Sequence, residues 1–277
     1  MILTTDTSGT EPAALFVVFC RGELVVREQA NASLGPDGIS DMFWDSQSLV
    51  VLADGIDTVI PVLDTTGSSV QCQAVLLKTL PTGLRTLSTR QLLVERGFAA
   101  FSTIGRASQW VNWFRSHRFC GFCGSPNQVR NDGRLLHCPS CEQDFYPRIN
   151  PCIIVLVTDG ERILLARSQR RGALYYSCLA GFIEPGETAE EAVAREVFEE
   201  VGIRVRDIRY VKSQPWPFPS QLMLGFYATY DSGDLTLCPQ EIAEANWYHV
   251  SMLPPTPAPA ISVAGQLIEE YCQRYQR

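Results

Sequence analysis

Residues 181–203 read GFIEPGETAEEAVAREVFEEVGI, a glycine-built loop that runs directly into a capped helix. Thr188 is placed to act as N-cap with Glu191 three residues later reaching back, the capping-box pattern. Gly202 stands where a left-handed C-terminal cap is expected. The spacing therefore predicts a helix over 189–201. At about 3.6 residues per turn, Glu196, Glu199 and Glu200 share one arc, while Val193, Val197 and Val201 form a separate apolar stripe toward a core.

The acids of this helix are not equivalent. Glu187, Glu190 and Glu191 lie near its N-terminus, where the helix dipole favours anions, so a solvated acidic face stays open as their reading. Glu199 and Glu200 sit in the last turn, where the dipole disfavours anions by about 0.3–1 kcal/mol each. Glu196 and Glu200 also repel at i,i+4 by roughly a few tenths of a kcal/mol. Something cationic should compensate. Arg195 is one candidate; a hard divalent ion, Mg²⁺ or Mn²⁺, meets the need better because it takes oxygen ligands and binds phosphate as well.

Composition sets the frame for this site. The 277-residue chain is 45% hydrophobic and 19% charged, a soluble composition in a chain long enough for two domains, which excludes the disordered and membrane classes. The start, MILTTDTSGTEPAALFVVFC, has no basic n-region and only a short apolar run, so neither a signal peptide nor a membrane span is expected, and the cytoplasm is the predicted compartment. A net charge of −7 argues against broad electrostatic capture of nucleic acid; an anionic substrate must be met by local cations or bound metal. Of ten cysteines, Cys20, Cys72, Cys152, Cys178, Cys238 and Cys272 are scattered and read mostly as small buried hydrophobes, free and reduced.

The other four cysteines form one cluster. Cys120-Gly-Phe-Cys123 and Cys138-Pro-Ser-Cys141 are two thiolate pairs separated by fourteen residues, read as two knuckles of a zinc ribbon. Four thiolates close a tetrahedral Zn²⁺ site with no open position, so the ion's role is structural. His117 and His137 lie beside the cluster and read as exposed or packing histidines.

Upstream, β-rich runs at Ala14–Cys20, Ser48–Ala53, Thr58–Leu63 and Val70–Leu77 are spaced by turn signals that include Asp54-Gly55 and Thr66-Gly67. A helical region follows at Thr89–Glu95 and Ala99–Ser116, with Phe101, Ile104, Trp110, Trp113 and Phe114 as core candidates. Downstream, Cys152–Val157 and Arg162–Ala166 read as strands around the Asp159-Gly160 turn. Further strands are expected near Val205–Val211 and Met223–Tyr230, and a final helix at about 261–275 follows the proline-rich Pro254–Pro259 link. Between them lies Ser213-Gln-Pro-Trp-Pro-Phe-Pro219, three prolines and two aromatics in seven residues, expected as a stiff loop presenting rings, either to a flat ligand or as a plug over the core.

The spacing Gly181, Glu187, Arg195, Glu196, Glu199, Glu200, Gly202, with Val197 and Ile203 apolar, resembles the complete Nudix hydrolase box. Seven fixed residues at ordinary frequencies coincide by chance about once in 10⁸ windows. SQPWPFP downstream of such a box, with a four-cysteine ribbon before it, is similar to the NADH pyrophosphatase family, and the resemblance covers about residues 98–277. It implies an α/β (α+β) fold: a Nudix α/β/α sandwich at 147–277, preceded by a β-rich domain at 1–117 and a zinc ribbon at 118–146.

The resemblance implies cleavage of NAD(H) to nicotinamide mononucleotide and AMP, with NAD-capped RNA as a second substrate. It implies Glu196, Glu199, Glu200 and Glu241 as ligands of catalytic Mg²⁺ or Mn²⁺, with the Ala180 carbonyl, and Glu199 as candidate base. Arg195 orients Glu187 on this reading. Gln214, Pro215, Trp216, Pro217, Phe218, Pro219, Ser220 and Gln221 line the nucleotide pocket, Phe182 and Tyr146 flank the adenine, and Ala264 approaches by its backbone. A homodimer is implied in which Tyr146 of one copy serves the site of the other. Two departures from the family pattern are Ser220 preceding Gln221, and Gly265 where an arginine is common. Arg167, Arg170 and Arg171 read as phosphate contacts or a basic surface. Two other functions stay open: a Nudix hydrolase acting mainly on ADP-ribose or dinucleoside polyphosphates, and a nucleic-acid-binding regulator with a nucleotide-sensing Nudix domain. The intact acidic set and the pI of 5.1 argue against the regulator.

Overall fold

The computed structural model describes residues 15–27, 42–62, 72–130, 133–169 and 174–275, apart from the side chains of 96 and 98–101. They form two compact units, Met1–Pro147 and Arg148–Arg277.

In the first unit, β1 (Leu15–Cys20), β2 (Glu23–Arg27), β3 (Ile56–Val62), β4 (Cys72–Leu77) and β5 (Leu84–Leu87) form a sheet of order β3-β4-β1-β2-β5. The parallel β1–β4 pair lies at its centre. The expected strand at 48–53 is instead helical: α1 (Ser46–Leu49) runs into a 3₁₀ turn at Val50–Gly55. Asp45 caps α1 by accepting from the Ser48 N–H at 2.6 Å. Leu49 and Leu52 then reach the core at i,i+3 spacing while Val50 and Val51 face outward, a pattern that strand alternation cannot produce. Ala14, Leu63, Val70 and the Thr66-Gly67 turn lie outside the described residues, as does the Phe101 side chain.

Helix α2 (Thr89–Ser116) covers both expected helical stretches and breaks between them at Gly97, whose φ of 75° and ψ of 172° no helix contains. Ile104 and Trp113 are buried, and Trp110 meets Trp113 edge-to-face at 5.5 Å. The short strands β6 (Gln128–Arg130), β7 (Leu135–His137) and β8 (Asp144–Phe145) complete the unit as a three-stranded antiparallel sheet.

The second unit is built on β9 (Asn150–Asp159), whose side chains are buried alternately on two faces. Cys152, Ile154 and Leu156 pack toward α4 (Val263–Cys272), while Ile153, Val155 and Val157 pack toward α3 (Ala189–Val201). The result is helix, sheet, helix, the layering that a strand apolar on both faces requires. The sheet order is β12 (Arg204–Trp216), β13 (Gln221–Ser232), β9, β10 (Arg162–Ser168), β14 (Ile242–His249), with β13 parallel to β9.

One irregularity creates room for a site. β9 pairs with β10 only over Val157–Asp159, and β11 (Leu179–Phe182) takes the neighbouring place over Cys152–Val155. β10 and β9 thus diverge, with β11 leading from the gap toward α3. Across the sheet, Phe182, Cys152, Met223 and Gln214 stand in one register row through β11, β9, β13 and β12.

Candidate active site

A cavity of about 620 Å³ occupies this divergence, lined by side chains from β10, β11, α3, the β12–β13 hairpin and the 240–242 turn. The capping box at Thr188 and Glu191 is formed in both directions, and Gly202 closes α3 at φ 77°, so the helix spans 189–201. This sets Glu196 and Glu200 one turn apart, both facing the cavity.

Glu200 is buried, and its Oε2 has no hydrogen-bond partner among the described residues. Burial first, then the charges of Glu196 and Glu241, push its carboxyl up to about 8; the Ala180 backbone N–H acts the other way. Burial also raises Glu196, against the pull of Arg195. A Cβ at Gly181 would overlap the Glu196 carboxylate, so the glycine leaves that movable side-chain end its place in the cavity. Crowded carboxylates, one with an unshared buried oxygen, fit the demand of a hard divalent cation for oxygen ligands. Glu241 enters from a turn pinned by backbone bonds from Cys238 N–H to the Glu200 carbonyl at 2.9 Å and from Gln169 N–H to the Glu241 carbonyl at 2.7 Å.

Arg195 ties the rim together. Its Nε and Nη2 donate to the two oxygens of Glu187 at 2.5 and 2.9 Å, and Nη1 donates to Glu196 and Glu199, each at 2.9 Å. Nη2 also donates to the Phe182 carbonyl at 2.8 Å. Arg195, and then the Glu184 N–H, hold the Glu187 carboxyl down at about 2. Glu199, expected as base and metal ligand, is 57% exposed and bound to Arg195; it does not line the cavity. Arg167 is held by Glu244 at 3.3 Å, which Tyr176 also contacts, whereas 170 and 171 lie outside the described residues.

The proline–aromatic segment is not one loop. Ser213–Trp216 belong to β12, so only residues 217–220 turn before β13. Of the residues expected to line the pocket here, Trp216 and Gln221 do so. Gln214 is buried and bonded to the start of α4, Pro215 and Pro219 are exposed, and Pro217 is buried. Phe218 stands edge-to-face on Trp216 at 5.1 Å, and Ser220 accepts from the Asn150 side chain at 2.9 Å. Ala264 is buried inside α4 and does not line the cavity. A Cβ on Gly265 would already press on the Pro257 carbonyl, which leaves no room for the arginine common at that position. Phe182 lines the cavity, half exposed; Tyr146 is exposed in the other unit. Ser168, Cys178, Glu184, Met223 and Gln240 also line it, brought there by register and turn contacts that local sequence patterns do not display.

In the first unit, the Cys120, Cys123, Cys138 and Cys141 sulfurs all lie within 4.8 Å of one another. The two knuckles share one bonding pattern. Gly124 N–H donates to the Cys120 carbonyl and Glu142 N–H to the Cys138 carbonyl, both at 2.9 Å, and both residues have positive φ. A convergent Cys₄ set fits structural zinc. His117 bonds the Trp113 carbonyl and His137 bonds Asp144, each through Nδ1.

The family described as the NUDIX domain matches residues 148–271, and the NADH pyrophosphatase zinc ribbon domain matches 115–146. The NAD-capped RNA hydrolase NudC of Stutzerimonas stutzeri (strain A1501) is 47% identical over 192 residues, 69% of this chain and 69% of that protein. Its counterpart in Pseudomonas syringae pv. syringae (strain B728a) is 51% identical over 183 residues, covering 66% of this chain and 65% of that one. The crystal structure of a NUDIX hydrolase from Nitrosomonas europaea, 23% identical, superposes with a TM-score of 0.50 over 57% of this chain and 92% of its own, a likeness of fold. Sandwich, box helix and cavity are those of a Nudix hydrolase. Within that class, the chain belongs to the NudC family, which it matches over about two thirds of its relatives' length.

Proposed function

We propose that this protein hydrolyses the pyrophosphate bond of NAD(H) to nicotinamide mononucleotide and AMP, and removes NAD caps from RNA by the same reaction. The observation that carries the reading is one cavity lined both by Glu196, Glu200 and Glu241 and by the ring-bearing side chains Trp216 and Phe182. Acids beside aromatic walls suit a substrate that joins a diphosphate to flat rings. The NudC relatives named as NAD-capped RNA hydrolases support it.

Mg²⁺ or Mn²⁺ held by Glu196, Glu200 and Glu241, with the Ala180 carbonyl, would supply neutralisation of the diphosphate charge and acidification of a water. The chain's own residues do the rest. Water oxygen attacks one phosphorus, the bridging P–O bond breaks, and the departing phosphate takes the electron pair. The attacking water gives up its proton to a carboxylate of the acidic cluster, which Glu196, Glu200 and Glu241 supply inside the cavity and Glu199 at its rim. Arg195 fixes Glu196 from the rim while Glu187 fixes Arg195, and Trp216 and Phe182 hold a ring.

Initial rates on NADH, NAD⁺, NAD-capped RNA and ADP-ribose, each with Mg²⁺ and with Mn²⁺, test the reading. NADH or the capped RNA should give the best kcat/KM; a clear preference for ADP-ribose overturns it. We further propose a cytoplasmic homodimer in which Tyr146 completes the partner's site. Mixing Tyr146→Ala and Glu200→Gln chains should then restore partial activity, and no recovery despite proven subunit exchange counts against it.

A further inference from the structure

Along β12, Lys212, Gln214 and Trp216 follow one another at period two and therefore share one face of the strand. The first two are committed to α4. Lys212 Nζ donates to Gln266 Oε1 at 3.3 Å and pairs with Glu270. Gln214 Oε1 accepts from the Val263 N–H at 2.7 Å, and its Nε2 donates to the Ile261 carbonyl at 3.3 Å, so both ends of a carboxamide only 6% exposed are spent on the entry to the helix. Gly225, opposite Lys212, keeps the contact tight: a Cβ there would come within 3.1 Å of Val263 Cγ2. Trp216 lies one step beyond the helix start. It packs against the α4-side core and lines the cavity.

We infer that Gln214 is a positioning residue, which latches β12 to the first turn of α4 and thereby sets the face that Trp216 presents to a substrate ring, without touching substrate itself. Buried amides are retained where both their donor and their acceptor are satisfied, and here both partners belong to one helix terminus. The inference rests on the reading of the cavity as a dinucleotide site.

The test is a double-mutant cycle on NADH hydrolysis with Gln214→Leu, Trp216→Ala and the pair, with Tm measured for each. Gln214→Leu should raise KM about tenfold with a much smaller change in kcat. In the Trp216→Ala background it should still lower Tm but leave KM where Trp216→Ala put it. KM effects that multiply in the double variant would mean direct contact with substrate and would overturn the latch. Gln214→Glu keeps the acceptor and loses the donor; it should fall between wild type and Gln214→Leu, and it carries the cycle if the leucine variant does not fold. Independently of turnover, 5-fluorotryptophan labelling with the Trp216 resonance assigned by Trp216→Phe should show that resonance shifted in ligand-free Gln214→Glu. An unmoved resonance sinks the inference even if KM rises. Wild-type protein inactive on NADH would instead strike the substrate reading, leaving the fluorine shift to decide the latch.

Discussion

The ribbon and the cavity both gather ligand side chains, and they do so in opposite ways. The ribbon draws four sulfurs from two hairpin knuckles, each organised by backbone bonds within six residues. The cavity gathers Glu196 and Glu200 from one helix and Glu241 from a turn some forty residues further on, and it leaves a buried Glu200 oxygen without a partner among the described residues. The first set is closed and the second is open. A closed tetrahedral set holds an ion for folding, whereas an open one leaves positions for substrate and water.

The largest effect that could break this contrast is expected at the ribbon. Cys120→Ser should release zinc and strongly lower Tm, because binding free energy on the order of 10 kcal/mol is folding free energy in such sites. Metal analysis showing no zinc in the wild-type protein would remove the ribbon reading. At the cavity the loss should fall on chemistry. Glu200→Gln should lower kcat by at least about 10²-fold with folding intact, and near-normal turnover at saturating Mg²⁺ would take Glu200 out of the site.

Gly181→Ala sharpens the contrast by adding only a methyl group. It should push the Glu196 carboxylate aside and lower kcat by about tenfold, with KM for NADH little changed. Equal losses in Tm and kcat would make Gly181 a packing residue only. The smallest expected effect is on pH dependence. Because the Glu200 carboxyl is raised to about 8 in the fold from an ordinary value of 4.5, the native state holds the extra proton between those limits. Metal-free protein should therefore lose stability, relative to Glu200→Gln, as pH rises from about 5 to about 8. Mg²⁺ should restore it. A difference in Tm that stays flat across that window, or grows in the other direction, would show that Glu200 is not so perturbed.

What was legible in the sequence was what is local. Helix α3, its capping box and its Gly202 terminus depend on contacts no more than four residues apart, and the expected 189–201 span is the observed one. The break between the two expected stretches of α2 falls at a glycine. The segment at 48–53 misled because its apolar run has strand composition, while the side chain that decides it, Asp45, caps from outside the run. SQPWPFP was legible as ring-bearing but not as half strand, since its pairing with Gln221–Leu224 is set by the sheet. Gln214 and Ala264 carry the same lesson. Neither sequence position tells which way a side chain turns once α4 covers the strand.

The register row Phe182–Cys152–Met223–Gln214 has a further consequence, for errors made during folding. Strand side chains alternate, so a slip of one residue by β9 would send Cys152 to the α3 side and bring Ile153 to the α4 side. The same slip would uncouple the β11 strand that leads to the acids from the β13 strand next to the ring wall. A misregistered chain would thus be both poorly packed and inactive, so no stable, half-functional isomer is available to it. The sheet works as its own proofreading device: one alignment satisfies the core and assembles the site, and the nearest alternative does neither.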